Sequence, residues 1–127
     1  AQGYLMLACR VTEKAYQAGH RIYLRCQDED QASQVDELLW TFSQSSFVPH
    51  QLSSSGRSEA PVTIGYGSPS NEDAQVIVSL ADEPVTDFDG FARVAEIVGT
   101  DESERQLARN RFKFYRDNGV EPVTHKV

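Results

Sequence analysis

The sequence predicts an α/β fold: three layers, with helices on both faces of a mostly parallel sheet. Three observations carry this. Helix-like and strand-like periods alternate from the start of the chain. Gln75-Val76-Ile77-Val78-Ser79-Leu80 is a near-continuous apolar run, as in a strand covered on both faces. The chain has 127 residues, enough for one core and little more, so a single domain over residues 1–127 is expected.

The elements follow in order. Gln2 to Ala18 reads as a helix, with Leu5, Leu7, Ala8, Val11, Ala15 and Tyr16 at roughly helical spacing and Gly19 as its stop. A chain that opens on such a helix usually has a strand ahead of it, so a first strand is expected that this chain lacks. Arg21 to Cys26 is a strand rich in β-favouring residues. Asp28-Glu29-Asp30 opens a second helix, where acids suit the positive end of the helix dipole, and it runs to Trp40. Thr41 to Ser58 is the least regular stretch. Pro61 to Tyr66 is the next strand, Gly67 to Asp73 a turn region, and Gln75 to Leu80 the buried strand. Asp82 to Gly90 is an acidic loop, with a short helical turn expected near Phe88 and Phe91. Val94 to Val98 reads as the last strand. It delivers the chain into a helix between Asp101 and Gly119, and the tail from Val120 to Val127 has little periodicity.

That last helix is the unusual feature. Net charge is −7, yet Arg105, Arg109, Arg111, Lys113 and Arg116 supply five of the chain's twelve basic residues. Asp101 or Ser103 can cap its first turn, and Gly119 can supply a left-handed stop. At about 100° per residue, Arg105, Arg109, Lys113 and Arg116 share an arc of roughly 80°, with Phe112 at its edge. Leu107, Ala108, Phe114 and Tyr115 fall on the other side and should face the core, interrupted by Arg111. Two readings fit such a stripe. It is a solvated helix face, or it receives an acidic peptide with an apolar end. A negative remainder disfavours general affinity for nucleic acid or anionic membrane.

Catalytic patterns are lacking. Gly65-Tyr66-Gly67 is without the third glycine of a phosphate loop. His20, His50 and His125 have no paired metal-ligand spacing, and Ser53-Ser54-Ser55 lacks the glycines of a nucleophile elbow. No catalytic residue, metal or cofactor is therefore assigned. Cys9 and Cys26 lie in apolar runs and read as buried free thiols of a cytoplasmic protein. No apolar run reaches membrane-spanning length, and no signal peptide is expected. Trp40, Phe42 and Phe47 cluster near Pro49, either as a cap on the core or as anchors for a partner.

These segments also carry a resemblance. Asp36-Glu37-Leu38-Leu39-Trp40, Ser46-Phe47-Val48-Pro49-His50, Arg105-Gln106-Leu107-Ala108-Arg109 and Lys113-Phe114-Tyr115-Arg116 resemble the chi subunit family of bacterial DNA polymerase III holoenzyme. Gln17 to Ile22 and Asp28 to Ala32 fit the same pattern. The resemblance covers nearly the whole chain. It implies a fold like that of mononucleotide-binding proteins, no catalytic site, no cofactor and a bacterial cytoplasmic location. It also implies an adaptor with two surfaces. One binds the acidic C-terminal tail of single-stranded DNA-binding protein through Val98, Arg105, Arg109, Phe112, Lys113 and Arg116. The other pairs with the psi subunit through Trp40 and Phe47, supported by Val48, Pro49 and His50, and psi links it to the clamp loader. Direct DNA binding is not implied. Phe112 stands where the family has tyrosine, and Gly99 and Thr100 replace a more apolar turn.

Overall fold

The computed structural model describes residues 2–42, 48–52, 60–66, 75–82, 84, 93–99, 101–119 and 122–126. In chain order its elements are α1 (Gln2–Gln17), β1 (Ile22–Cys26), α2 (Glu29–Thr41), β2 (His50–Leu52), β3 (Val62–Tyr66), β4 (Val76–Ser79), β5 (Arg93–Val98), α3 (Glu102–Asp117) and β6 (Val123–Lys126). The six strands form one sheet in the order β2-β3-β1-β4-β5-β6, and every neighbouring pair is parallel. The expected α/β/α layering holds.

Alternation along the strands assigns the two faces. Ile22, Leu24, Cys26, Val62, Ile64, Val76, Val78, Ala95 and Ile97 join Leu5, Ala8 and Cys9 of α1 and Ala32, Val35 and Leu39 of α2 in one apolar layer. Tyr23, Ile77 and Val94 point the other way and pack with Tyr115 of α3. Every residue of β4 is buried, which is why it reads as an unbroken apolar run.

The helix ends follow local chemistry. Asp28 accepts a hydrogen bond from the Gln31 backbone N–H at 2.8 Å, while the Gln31 side chain accepts one from Gln27 N–H at 2.7 Å. Asp101 caps α3 by accepting from Ser103 N–H at 3.1 Å. Gly19 and Gly119 follow α1 and α3 with φ of 91° and 76°, the left-handed stops expected of them.

Two strands depart from expectation. β2 lies inside the stretch that reads as irregular, and β6 lies in the tail. Both are sheet edges, and neither has the apolar alternation that marks a strand locally. Val123, Thr124 and Lys126 are exposed. What makes β6 a strand is its ladder with β5, which pairs Ala95 with Val123 through Val98 with Lys126. The turn at Gly67 to Asp73, the helical turn near Phe88 and Phe91, and Phe47 all lie outside the described residues.

The core side of α3 is also narrower than expected. Tyr115 and Arg111 are buried, Phe114 and Ala108 are half-buried, and Leu107 is 38% exposed. The buried mid-line runs between Arg111 and Tyr115, and Leu107 lies about 60° from it at 100° per residue. Arg111 does more than interrupt this face. Its Nε donates to Oε1 of Glu96 on β5, and its terminal nitrogen donates to the Asp82 carbonyl at 3.0 Å. The two charged residues are 5% and 4% exposed. Burial pushes the Glu96 carboxyl above its ordinary range, and the Arg111 charge and hydrogen bond pull it back. A buried charge of this kind is tolerated only when paired.

Candidate peptide-binding groove

α3 presents exposed Arg105, Arg109 and Phe112 at positions i, i+4 and i+7, with half-buried Ala108 at i+3, as one continuous helical face. They form one wall of a groove of about 380 Å³. Val98 and Gly99 at the end of β5, with Thr124 and Lys126 of β6, complete the lining. Phe112 is 41% exposed, unusual for a phenyl ring in water, and Val98 beside it is buried. The groove thus joins an apolar slot to two arginines and a lysine.

Four of the six residues expected to bind the tail meet here: Val98, Arg105, Arg109 and Phe112. Lys113 and Arg116 are exposed on α3 but do not line the groove. The helical angles explain Lys113. It lies about 40° from Arg109 on the side away from Phe112. Arg116 instead sits over the Phe112 ring, with its guanidinium carbon 5.9 Å from the centroid. That contact keeps a positive charge beside the ring. Arg109 reaches Glu102 Oε1 and Gln106 Oε1, each at 3.5 Å, in a fully solvated setting. Such a pair is weak and exchangeable. Sequence reasoning missed Ala108, Thr124 and Lys126. Ala108, expected to face the core, is half-buried and lines the groove instead, because it lies about 60° from Arg105 at the boundary between the two faces. Thr124 and Lys126 had no local signal, because only the β5–β6 ladder brings them to α3.

The second predicted surface lies at the far side of the sheet. Trp40, at the end of α2, is 58% exposed, the most exposed large apolar side chain described. The His50 ring stands 4.9 Å from it, edge to face. That ring is fully buried. Its Nδ1 lies 2.7 Å from the Val48 carbonyl and its Nε2 3.1 Å from the Asp36 carbonyl, so it ties the loop before β2 back to α2. Both ring nitrogens thus meet backbone carbonyls. Val48 is completely buried and Pro49 half-buried. The His50 ring, anchored on the Val48 carbonyl, therefore supports Trp40.

A cavity of about 430 Å³ opens beyond the carboxyl ends of β1, β4 and β5. Open α/β sheets commonly bind nucleotides at this location. Its charged lining here is Asp82, Asp101, Glu104 and the already paired Arg111. Three carboxylates beside a committed guanidinium repel phosphate. Among the described residues no group of three or more His, Cys, Asp or Glu is placed to hold a metal ion. No described helix is long and apolar enough to cross a membrane. Cys9 and Cys26 are buried free thiols, as expected, and burial pushes both up to about 12.

The model of the family described as DNA polymerase III chi subunit, HolC, matches residues 1–123. DNA polymerase III subunit chi of Pseudomonas aeruginosa is 39% identical over 123 residues, which covers 97% of this chain and 86% of that protein. The subunit of the same name from Escherichia coli is 36% identical over 115 residues, covering 89% of this chain and 78% of the relative. That of Haemophilus influenzae is 28% identical over 124 residues, or 95% of this chain and 85% of the relative. The chain belongs to the DNA polymerase III chi subunit family.

Proposed function

We propose that this chain is a non-catalytic adaptor of the DNA polymerase III holoenzyme, acting in bacterial DNA replication. Its α3–β6 groove receives the acidic C-terminal tail of single-stranded DNA-binding protein. Its Trp40 surface pairs with the psi subunit, which connects it to the clamp loader. The observation that carries the first half is the groove itself: an exposed phenyl ring and a buried valine between cations, on a protein of net charge −7. An apolar terminal side chain fits the slot, and carboxylates fit Arg105 and Arg109 by charge-assisted hydrogen bonds. Burying one large side chain there contributes roughly 1.5–3 kcal/mol. Ordering a disordered tail opposes it, so the expected affinity is about micromolar.

The second half rests on Trp40. A large, exposed aromatic on a rigid helix end, held by a buried histidine, is the usual form of an interface anchor.

Calorimetric titration tests the groove with two ligands: an acidic peptide ending in phenylalanine, and a bare single-stranded oligonucleotide. At moderate salt the peptide should bind and the oligonucleotide hardly at all, because the protein's overall field repels DNA. Arg109→Ala should weaken the peptide about ten-fold to a hundred-fold, the worth of one charged hydrogen bond. Comparable binding of the oligonucleotide would replace this reading with one in which α3 contacts phosphates.

A further inference from the structure

We propose that β6 is the second recognition wall of this groove, and that Lys126 engages a carboxylate of the peptide that the α3 arginines do not reach. The proposal rests on the tail-binding reading and extends it to residues outside the basic helix.

The β5–β6 register sets the geometry. Val98 pairs with Lys126, and Glu96 pairs with Thr124. Side chains alternate across a strand, so Thr124 and Lys126 share one face with Val98 and Glu96. That is the face α3 packs on, since Glu96 meets Arg111 there. Thr124 and Lys126 therefore extend the floor beneath α3 outward to the sheet edge. The groove has an apolar centre at Val98 and Phe112 and a cation on each side: Arg105 and Arg109 on the helix, Lys126 on the strand. A peptide whose apolar end occupies the centre runs between the two. An extended backbone sends successive side chains to opposite sides. Consecutive acids then face opposite walls, and a single basic helix can serve only half of them.

The two walls differ in readiness. Arg109 already shares its guanidinium with Glu102 and Gln106. Lys126 is exposed and makes no ion pair among the described residues. Its compact ammonium on a flexible stem can follow the peptide without the fixed fork geometry that arginine requires. A lysine on an edge strand can also serve only to deter strand pairing. In that case its charge would not affect peptide affinity, and the two roles are separable.

The test is fluorescence anisotropy with a labelled acidic peptide of about nine residues ending in phenylalanine with a free carboxylate. Lys126→Glu, Lys126→Ala, Lys126→Arg and Arg109→Ala are compared with Lys14→Glu. Lys14 lies with His125 at a separate cavity that α1 lines, so its variant makes the same charge change away from the groove. Lys126→Glu should weaken binding about ten-fold, Lys126→Ala about three-fold, and Lys126→Arg and Lys14→Glu less than about two-fold. Replacing the peptide acids one at a time by amides should reveal one position that matters in the wild type and in Arg109→Ala, but no longer in Lys126→Ala. If Lys126→Glu behaves like Lys14→Glu while Arg109→Ala weakens binding, β6 is not a recognition wall and the tail-binding reading stands. If neither Arg109→Ala nor Lys126→Glu weakens the peptide, the tail-binding reading falls and this inference falls with it.

Discussion

Removing the Arg111 guanidinium is the sharpest perturbation the fold offers. Arg111 is 5% exposed and Glu96 is 4% exposed, so Arg111→Ala leaves a carboxylate in the interior with its principal partner gone. The Asp82 carbonyl also loses a donor. Breaking a buried pair in this way costs about 3–5 kcal/mol, a large part of the 5–15 kcal/mol that holds such a domain together. With a urea slope of about 1.5 kcal/mol/M, the unfolding midpoint should fall by roughly 2–3 M. The pH dependence gives a second readout. Burial already raises the folded-state Glu96 carboxyl above its unfolded value, with Arg111 opposing, so losing Arg111 raises it further. An acid with a raised folded pKa contributes stability below its unfolded pKa and loses it as pH rises through the folded one. The difference between wild type and variant should therefore be smallest near pH 4.5 and grow toward pH 8. Replacing both partners, Arg111→Met with Glu96→Leu, should recover most of the loss, because no buried charge remains. Urea unfolding followed by circular dichroism at several pH values decides. A midpoint shift below about 0.5 M for Arg111→Ala at pH 8 would mean that water reaches the pair, and the burial argument would be wrong. The same burial makes Arg111 unsuitable as a neutral control for peptide binding, despite its place on a different arc from Arg109.

Three further outcomes follow from the same structure. Glu102→Gln should tighten the acidic peptide by about two-fold, measured by anisotropy, because it frees Arg109 from a solvated pair of small worth. If Trp40 anchors psi as proposed, Trp40→Ala should abolish psi binding in a pull-down while shifting thermal stability by about 1 kcal/mol or less, since the ring is mostly exposed, whereas buried Val48→Ala should cost roughly 2 kcal/mol. Cys9 and Cys26 should resist a thiol reagent at pH 7.5 and react fully in denaturant, because burial holds both thiolates back.

The sequence by itself determined the layers and the basic helix. Period-2 and period-3.6 patterns are local, and so are the Asp28 and Asp101 caps and the glycine stops. The 100° step was enough to place Arg105, Arg109 and Phe112 on one side of α3 and Tyr115 on the other. The tertiary structure decided what those faces meet. Arg111 looks like a flaw in an apolar face until Glu96, fifteen residues earlier, is brought beneath it by the β5–α3 packing. Lys126 looks like an ordinary tail residue until the β5–β6 ladder sets it opposite Val98. Lys113 and Arg109 look equivalent on a helical projection, and only the position of the sheet edge decides that the groove lies on the Phe112 side. The physical reason is the same in each case. Backbone period and capping are settled within a few residues, whereas charge pairing and groove lining depend on strand partners distant in sequence, which no local pattern encodes.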